Sequence, residues 1–274
     1  MSADALGALD AFDAFDAAQL LAHLPDSTRS QIASLHVVAE TTSTQADALA
    51  APLPAQGCAI FIADRQTAGQ GRQGRAWISP AGANIYLSVS RRFTHGLQSL
   101  SGLSLVAGVA VVEALQAMGI ELVGLKWPND LVADGRKLGG LLVQGRAEGG
   151  ASAAVIGLGL NVRMPTDVAT AIEQPWCDLA SLGYDIPRVG ILAGVITQLV
   201  AALAQFDADG LVPFLPRWSQ LDAFQGREAR VLDGASVVSG TVLGIDANGA
   251  LRMAVAGDGG ERLFHAGELS LRPA

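Results

Sequence analysis

The sequence predicts an α+β fold, in which a central mixed sheet with packed helices follows a short helical segment and precedes a small β-barrel. Apolar runs of strand length between residues 57 and 162 are separated by glycine-rich turns. Two longer apolar segments, 97–118 and 188–206, have the length of buried helices. From Gly226 onward, short strand patterns alternate with closely spaced glycine turns, which is typical of a small barrel of about fifty residues.

The N-terminal half is predicted to contain a helical lead, two strands, one long helix and a further short strand. Residues 1–35 carry Leu and Phe at helical spacing, which predicts one or two short helices. Residues 57–64 form an apolar run and residues 84–93 alternate in polarity, so each segment predicts a strand. Residues 97–118 predict one buried helix packed on the sheet, and residues 123–126 predict a short strand.

Hairpins and helices are predicted for the rest of the chain. Asp134-Gly135 and Glu148-Gly149-Gly150 are turn sequences that join predicted strands at 131–133, 137–143 and 153–162. Residues 166–219 are predicted to be helical. The strands of the barrel are predicted at 228–232, 237–245, 250–255 and 262–266.

Composition favours a protein of a reducing, cytoplasmic compartment. Half of the 274 residues are hydrophobic and 16% are charged, so a sizeable core is expected. Cys58 and Cys177 form no CxxC pair, and the four histidines are scattered, so no metal-ligand cluster is expected. No basic residue precedes Arg29, unlike in a secretory signal. The uncharged stretch Val189–Phe206 is of marginal length for a membrane span, and we interpret it as a buried core helix.

The segment Gly69–Arg75 is the strongest functional signal. Its three glycines permit left-handed backbone and let amide N–H groups approach a ligand, while Arg72 and Arg75 add fixed positive charge. Residues 1–64 carry eight carboxylates and one arginine, whereas residues 65–112 carry five arginines and no carboxylate. In a chain of net charge −8, this predicts a focused anion site. The alternative is a surface hairpin that carries two arginines.

Two further patterns accompany that segment. Lys126-Trp127-Pro128-Asn129-Asp130 forms a polar cluster beside a Trp-Pro step, either as part of the site or as ordinary turn residues. Four glycines lie inside predicted strands, where glycine marks a bulge, a close approach by a ligand, or tight packing of a helix on the sheet. These are Gly139, Gly140, Gly157 and Gly159.

The chain resembles the biotin protein ligases through several motifs at family spacing. The motifs are Ser43-Thr44-Gln45, Gln66 to Arg75 ending at Trp77, Gly82 to Tyr86, Lys126 to Asp130, Arg136 to Gly140, Ile156 to Asn161 and Gly267 to Arg272. Members of that family commonly have Arg where Gln70 stands and Asn where Gln45 stands. The resemblance implies a biotin/lipoate ligase-like catalytic domain at 36–225 and an SH3-like barrel at 226–274, after a helical segment at 1–35.

The resemblance also implies the activity: ATP and biotin form biotinyl-AMP, and biotin passes to a lysine of a biotin carboxyl carrier protein. Lys137 and Arg72 would be catalytic, with Lys137 bridging the biotin carboxylate and the α-phosphate; by itself, Lys137 could equally be an exposed turn lysine. The implied biotin-binding residues are Ser43, Thr44, Gln45, Gln66, Gln70, Gly71, Arg72, Lys137, Gly140, Gly157 and Gly159. Ser43 and Thr44 could also cap a helix.

For the nucleotide, the resemblance implies a second set of residues and places Trp77 near adenine. The set is Gly69, Arg72, Arg75, Trp77, Lys126, Asn129 and Asn161. Mg²⁺ would be held mainly by the ATP phosphates, with Asp130 as a candidate ligand. A monomer or weak homodimer is expected, with no membrane association.

Three alternatives remain open at this point. A lipoate or octanoate ligase or transferase would use a related fold. A biotin-sensing repressor would need a basic recognition helix, and residues 1–35 contain one Arg and no Lys, so specific DNA binding is not expected. An interaction protein would act through its barrel.

Overall fold

The computed structural model describes residues 14–169, 172, 174–233, 236–255, 260–265 and 270–273. Residues 1–13 of the predicted helical segment and residues 267–269 of the last family motif therefore lie outside the described residues.

The larger sheet has seven strands in the order β1-β2-β3-β7-β6-β5-β4. The strands are β1 Ile32–Thr41, β2 Cys58–Gln66, β3 Ile85–Phe93, β4 Gly124–Lys126, β5 Asp130–Ala133, β6 Arg136–Glu148 and β7 Ala151–Leu160. β1 pairs with β2 in parallel, and the other neighbours are antiparallel. The prediction of a mixed sheet is confirmed.

Helices cover both faces of this sheet. They are α1 Ala17–His23, α2 Asp26–Arg29, α3 Thr44–Ala50, α4 Leu103–Gln116, α5 Thr166–Ala169, α6 Arg188–Asp209 and α7 Leu215–Leu221. Along β2, Ile60 and Ile62 belong to the main core with α4 and α6, whereas Ala59 and Phe61 pack in a small cluster with α3. This alternation is the period-two pattern of a strand that is covered on both faces.

Two helical segments, Leu97–Gln116 and Arg188–Asp209, are long and apolar enough to cross a membrane. More than half of each is buried within the protein, as in the core helix of a soluble protein. α6 begins after Pro187 and ends at Gly210, whose φ is 68° and whose N–H donates to the Phe206 carbonyl. The interpretation of this segment as a core helix agrees with its packing against α4.

Two helix predictions need correction. The predicted helix at 97–118 is divided into a 3-10 turn at Leu97–Leu100 and α4, because Gly102 between them has φ +82°. A Cβ at Gly102 would also lie 2.7 Å from Leu211 Cδ2, so a helix-forming residue does not fit there. Of the predicted helical region 166–219, residues 174–179 are not helical; they run beside β6, where the Lys137 N–H donates to the Pro175 carbonyl at 3.0 Å.

The sequence patterns did not predict β1. It is an edge strand with partly exposed side chains along most of its length, so its polarity pattern is weak. The predicted boundary between residues 35 and 36 falls inside this strand. Before it, α1 is a helix as predicted, capped by the Asp16 carboxylate, which accepts from the Gln19 N–H at 2.7 Å.

The smaller sheet has the strand order β11-β10-β9-β8-β12. Its strands are β8 Glu228–Asp233, β9 Ser236–Ile245, β10 Leu251–Val255, β11 Glu261–Phe264 and β12 Ser270–Pro273. A small C-terminal β-domain is confirmed. The predicted closed barrel is not, because within the described segments the edge strands β11 and β12 do not pair with each other.

The turn between β9 and β10 contacts the larger domain. The Trp127 indole N–H donates to the Gly249 carbonyl at 3.1 Å, and the Ser101 hydroxyl donates to the Asn248 carbonyl at 3.2 Å. Gly249 has φ +81°, and a Cβ there would lie 2.8 Å from Leu105 Cδ1. The C-terminal sheet therefore supports the segment that links β4 to β5.

Asp222 lies at the same junction, where the Ala223 N–H donates to the Leu125 carbonyl of β4. Burial raises the pKa of Asp222 to about 6. The hydrogen bond that the Phe224 N–H donates to Asp222 Oδ1, at 2.9 Å, opposes this shift. Because the pKa of Asp222 is higher in the folded state than in the unfolded state, its contribution to stability falls as the pH rises. The fall is complete once the pH exceeds both pKa values.

We expect Asp222→Asn to gain stability relative to the parent protein as the pH rises from about 4 to 7, by about 1–3 kcal/mol over that range. The amide cannot ionise, so the variant lacks the penalty that develops in the parent. Urea unfolding of both proteins at several pH values measures this difference. A constant difference across the range would show that Asp222 titrates normally.

Candidate active site

A cavity of about 560 Å³ lies between α3, β6, β7 and the segment 70–78. All but one of the residues predicted for the site line it. They are Ser43, Thr44, Gln45, Gln66, Gln70, Gly71, Arg72, Arg75, Trp77, Lys126, Asn129, Asp130, Lys137, Gly140, Gly157, Gly159 and Asn161. Residues from positions more than 110 apart in the chain thus share one site.

Gly69 is the exception, since it does not line the cavity. A Cβ at this position would lie 2.7 Å from both the Ser79 hydroxyl oxygen and the Trp77 carbonyl oxygen. The absence of a side chain at Gly69 lets the two ends of the loop lie close together. The position of Gly69 outside the cavity lining does not support the expectation that it contacts a nucleotide.

Several lining residues were missed by the sequence interpretation. They are Gln73, Ala76, Ile78, Leu87, Ser88, Trp127, Pro128, Leu141, Leu142, Leu158, Met164, Ile172, Gln174 and Trp176. Ser88 could have been found, because β3 alternates in polarity and Ser88 lies between two apolar residues of that strand. Gln174 and Trp176 gave no such signal, since this part of the chain was predicted to be helical, whereas Trp176 pairs with Lys137 of β6.

The glycine-arginine segment folds as a hairpin over the cavity. Gln70 pairs with Ala76, the Gly71 N–H donates to the Arg75 carbonyl at 2.8 Å, and the Trp77 N–H donates to the Gly69 carbonyl at 2.8 Å. Gln73 at the tip has φ 58° and the glycine after it has φ 69°, so the reversal uses left-handed backbone. We call residues 69–77 the loop hairpin.

We expect amide hydrogen exchange in the loop hairpin to be fast in the free protein and slower once biotin and ATP are bound. The hairpin has an exposed tip and few backbone hydrogen bonds, so local opening should need little free energy. Ligands that contact its arginines would oppose that opening. Hydrogen-exchange mass spectrometry tests this, with α6 as an internal reference; exchange that is unchanged by both ligands would contradict it.

Asp130 holds two lysines at the centre of the cavity. Lys137 Nζ lies 2.7 Å from Asp130 Oδ1, and Lys126 Nζ lies 2.9 Å from Asp130 Oδ2. Burial alone would raise the pKa of Asp130, but the two ammonium groups reverse this and lower it. The carboxylate therefore stays ionised and fixes both cations. Lys137 is not the exposed turn lysine of the alternative interpretation, since 19% of its side chain is exposed.

Asn129 orients Arg72. The Asn129 amide donates to the Leu141 carbonyl at 2.7 Å, which fixes its direction, and its Oδ1 accepts from Arg72 Nη1 at 3.1 Å. Burial lowers the pKa of Arg72, with Asp130 opposing the shift. Arg75, by contrast, is exposed and donates to Gln73 Oε1 within the loop hairpin at 2.9 Å. The two arginines are therefore held differently.

The residues of the cavity do not provide a magnesium site of their own. Both Asp130 oxygens are engaged by lysines, so this carboxylate is not presented as a metal ligand. In the part of the chain that the structure describes, no group of three or more His, Cys, Asp or Glu side chains could hold a metal ion.

Trp77 lies on the strands at the floor of the cavity. A Cβ at Gly159 would lie 2.4 Å from Trp77 Cε2, and one at Gly140 would lie 3.5 Å from Trp77 Cζ3. A Cβ at Gly157 would lie 2.6 Å from Gln45 Oε1. The three glycines were expected to leave room for the ligand rings; the structure shows that they first make room for these two side chains.

The opposite end of the cavity carries a hydrogen-bonded set of hydroxyl and amide groups. Gln66 Oε1 accepts from the Thr44 N–H at 2.9 Å, and the Thr44 and Ser88 hydroxyl oxygens are 2.9 Å apart. Ser43 occupies the N-cap of α3 but makes no side-chain cap hydrogen bond within the described residues. The Ser43 hydroxyl therefore does not cap α3. We call this end of the cavity the polar end.

Comparisons with known proteins identify the family of this chain. The profile of the biotin/lipoate A/B protein ligase family matches residues 37–161. A biotin–[acetyl-CoA-carboxylase] ligase from Paracoccus denitrificans is 31% identical over 85% of this chain and 98% of its own length. The chain belongs to the biotin protein ligase family.

Other members of the biotin protein ligase family extend the comparison. The bifunctional ligase/repressor BirA from Escherichia coli (strain K12) is 41% identical over 78% of this chain, and the match spans 66% of BirA, slightly under two thirds. The biotin protein ligase from Aquifex aeolicus in complex with biotin and ATP superposes with a TM-score of 0.71 at 26% identity, covering 89% of this chain and 99% of that one.

Proposed function

We propose that this protein activates biotin with ATP to biotinyl-AMP and transfers biotin to a specific lysine of a biotin carboxyl carrier protein. The observation that carries the proposal is the arrangement of Lys137, Lys126 and Arg72 around Asp130 and Asn129, in the same cavity as the polar end. One partly enclosed site thus combines positive charge for two anions with hydrogen-bonding groups for a neutral ring.

The polar end suits the ureido ring of biotin. That ring has one carbonyl oxygen, which needs donors, and two N–H groups, which need acceptors. Thr44, Gln66 and Ser88 provide both kinds of group, and Ser43 and Gln45 lie beside them. A fatty-acyl or lipoyl chain offers no hydrogen bonds to these polar groups where it covers them, which disfavours the lipoate or octanoate alternative.

The cationic cluster suits the activation step. A biotin carboxylate oxygen attacks the α-phosphorus of ATP, the bond from that phosphorus to the pyrophosphate oxygen breaks, and pyrophosphate leaves. Lys137 would neutralise the two anions as they approach, and Asp130 keeps its ammonium group in place. Arg72, oriented by Asn129, would hold a phosphate oxygen. Mg²⁺ would accompany the ATP phosphates, since both oxygens of Asp130 are engaged by lysines.

The loop hairpin and Trp77 would exclude water from the mixed anhydride. The hairpin closes over the cavity, and the Trp77 ring lies 5.4 Å from Lys137 Nζ, measured to the ring centroid. A closed site limits hydrolysis of biotinyl-AMP until the amine of the carrier lysine attacks its carbonyl carbon and displaces AMP.

The edge of β6 is our proposed docking place for the carrier domain. Among the described residues, 142–148 pair with β7 on one side, whereas β5 accompanies β6 only as far as Gly140. An extended segment of a partner can add to such an edge through backbone hydrogen bonds. Because this edge continues from Lys137 along the same strand, a docked carrier would present its lysine near the cavity.

A cytoplasmic location and a monomer or weak homodimer complete the proposal. Cys58 and Cys177 are both free and buried, which suits a reducing compartment. Specific DNA binding is not part of the proposal. Arg72 and Arg75 line the ligand cavity, and residues 1–35 contain one Arg and no Lys.

An ATP–pyrophosphate exchange assay tests the activation step without a carrier. Exchange that depends on biotin, and that lipoate and octanoate do not support, is the expected result. Exchange with octanoate or lipoate in place of biotin would favour the alternative enzyme class. No exchange with any of the three acids would leave the cavity without its proposed reaction.

A further inference from the structure

Gln45 reaches from the cavity to a residue outside it. Its side chain is buried, and its amide nitrogen donates to Gln144 Oε1 on β6 at 2.9 Å and, at the longer distance of 3.4 Å, to the Val155 carbonyl. Gln144 itself is exposed and does not line the cavity. The sequence interpretation did not include Gln144 in the site.

The path of this side chain depends on Gly157 and on the length of glutamine. A Cβ at residue 157 would lie 2.6 Å from Gln45 Oε1, so the amide crosses β7 where no side chain stands. Asn, the shorter amide residue, lacks one methylene of Gln. Gln45 therefore brings its amide nearer to β6 than Asn at this position would.

The contact with Gln144 fixes which way the Gln45 amide points. The Gln45 amide nitrogen faces two acceptors, Gln144 Oε1 and the Val155 carbonyl. The amide oxygen of Gln45 therefore faces the cavity. There it accepts from the Ser88 hydroxyl at 3.3 Å. A hydroxyl has one hydrogen to donate, so when Ser88 donates to Gln45 it can only accept from Thr44, whose hydroxyl oxygen is 2.9 Å away. The Thr44 hydroxyl also lies 3.2 Å from Gln66 Oε1, so the direction at Ser88 decides which of the two acceptors receives the Thr44 hydrogen.

We infer that Gln144 is a positioning residue that sets the donor and acceptor pattern of the polar end. By accepting from Gln45, it determines the direction of the hydrogen bonds from Ser88 and Thr44, and these hydroxyls lie where the ureido ring would bind. The inference rests on the proposed function. It makes biotin affinity depend on whether residue 144 accepts or donates.

The test is a pair of variants that differ in this property at an exposed position. Gln144→Glu keeps an acceptor, whereas Gln144→Lys offers only donors and favours a reversed Gln45 amide. Isothermal titration should show that the Glu variant binds biotin within about twofold of the parent, and that the Lys variant binds roughly tenfold more weakly, because buried groups then lack partners. ATP affinity and the kcat of pyrophosphate exchange should change little.

Charge and folding are controlled separately. Attraction between a lysine and the biotin carboxylate would favour the Lys variant over the Glu variant, which is the opposite order. Gln116→Glu and Gln116→Lys, at the exposed end of α4, supply the same charge changes away from the cavity, and thermal unfolding monitors the fold.

Equal biotin affinity of the two Gln144 variants, whether both are unchanged or both are weakened, would overturn the inference. A parent protein that neither binds biotin nor exchanges pyrophosphate would instead refute the proposed function.

Discussion

Lys137→Ala should lower the rate of biotin-dependent pyrophosphate exchange by roughly 100-fold or more, the scale of losing one key electrostatic group at a reacting centre. Lys137 Nζ is held by Asp130 and lies beside Trp77, so its charge is fixed at one place in a partly enclosed site. Without it, the biotin carboxylate and the α-phosphate would repel each other with less compensation. The loss should appear mainly in kcat, because the charge matters most as the two anions meet.

Two further variants separate charge from packing. Lys137→Met keeps an unbranched side chain against Trp77 but removes the ammonium group, so it should be about as inactive as the alanine variant. Arg136→Ala changes the neighbouring cation, which is 40% exposed and 3.7 Å from Asp134, and should retain near-parental exchange. Near-normal exchange by Lys137→Met would remove the ammonium group from the mechanism.

Arg72→Ala should reduce kcat/KM for ATP by roughly 10- to 100-fold, whereas Arg75→Ala should reduce it much less. Arg72 is partly buried and is oriented by Asn129, whose own direction is fixed by the Leu141 carbonyl. Arg75 is exposed, and its side chain donates to Gln73 within the loop hairpin. A charge that is already in position stabilises a developing anion more than one that must first be ordered.

Arg72→Lys is the matched variant for geometry. It keeps the positive charge but loses the planar fork that can contact Asn129 and a phosphate oxygen together, so it should recover only part of the lost activity. Steady-state kinetics with ATP varied at saturating biotin measures these effects. A larger loss for Arg75→Ala than for Arg72→Ala would contradict the assigned difference between the two arginines.

The sequence predicted the composition of the cavity better than its internal contacts. The resemblance to biotin protein ligases placed Lys137, Asp130 and the loop arginines in one site, and these residues line one cavity. Which side chain holds which cation did not follow, since the contact of Asp130 with Lys126 depends on the register between β4 and β5, and its contact with Lys137 depends on the register between β5 and β6. A hairpin turn sequence limits that register only locally.

The glycines in the strands illustrate a second limit. Close approach was predicted at Gly157 and Gly159, but the approaching groups are Gln45 and Trp77, which lie more than 80 residues earlier in the chain. A glycine shows where space is needed and carries no information about which group fills it. Only the folded arrangement identifies the partner.

The fold elements that differed from the sequence prediction are those with weak or misleading hydrophobic patterns. β1 is a partly exposed edge strand, so neither alternation nor an apolar run marked it. The helix predicted at 97–118 is broken because Gly102 packs against Leu211, a contact that apolar periodicity does not encode. In contrast, the predicted central strands and α6 agree with the structure, because deep burial imposes a strong hydrophobic pattern.

The most direct test of the proposed function is biotin transfer itself. The protein is incubated with biotin, Mg-ATP and a purified biotin carboxyl carrier domain, and the carrier is analysed by intact-mass and peptide mass spectrometry. The account predicts the mass gain of one biotinyl group on a single lysine, dependent on ATP and abolished when that lysine is replaced by arginine. A carrier that remains unmodified, or that accepts a lipoyl or octanoyl group in preference to biotin, would contradict it.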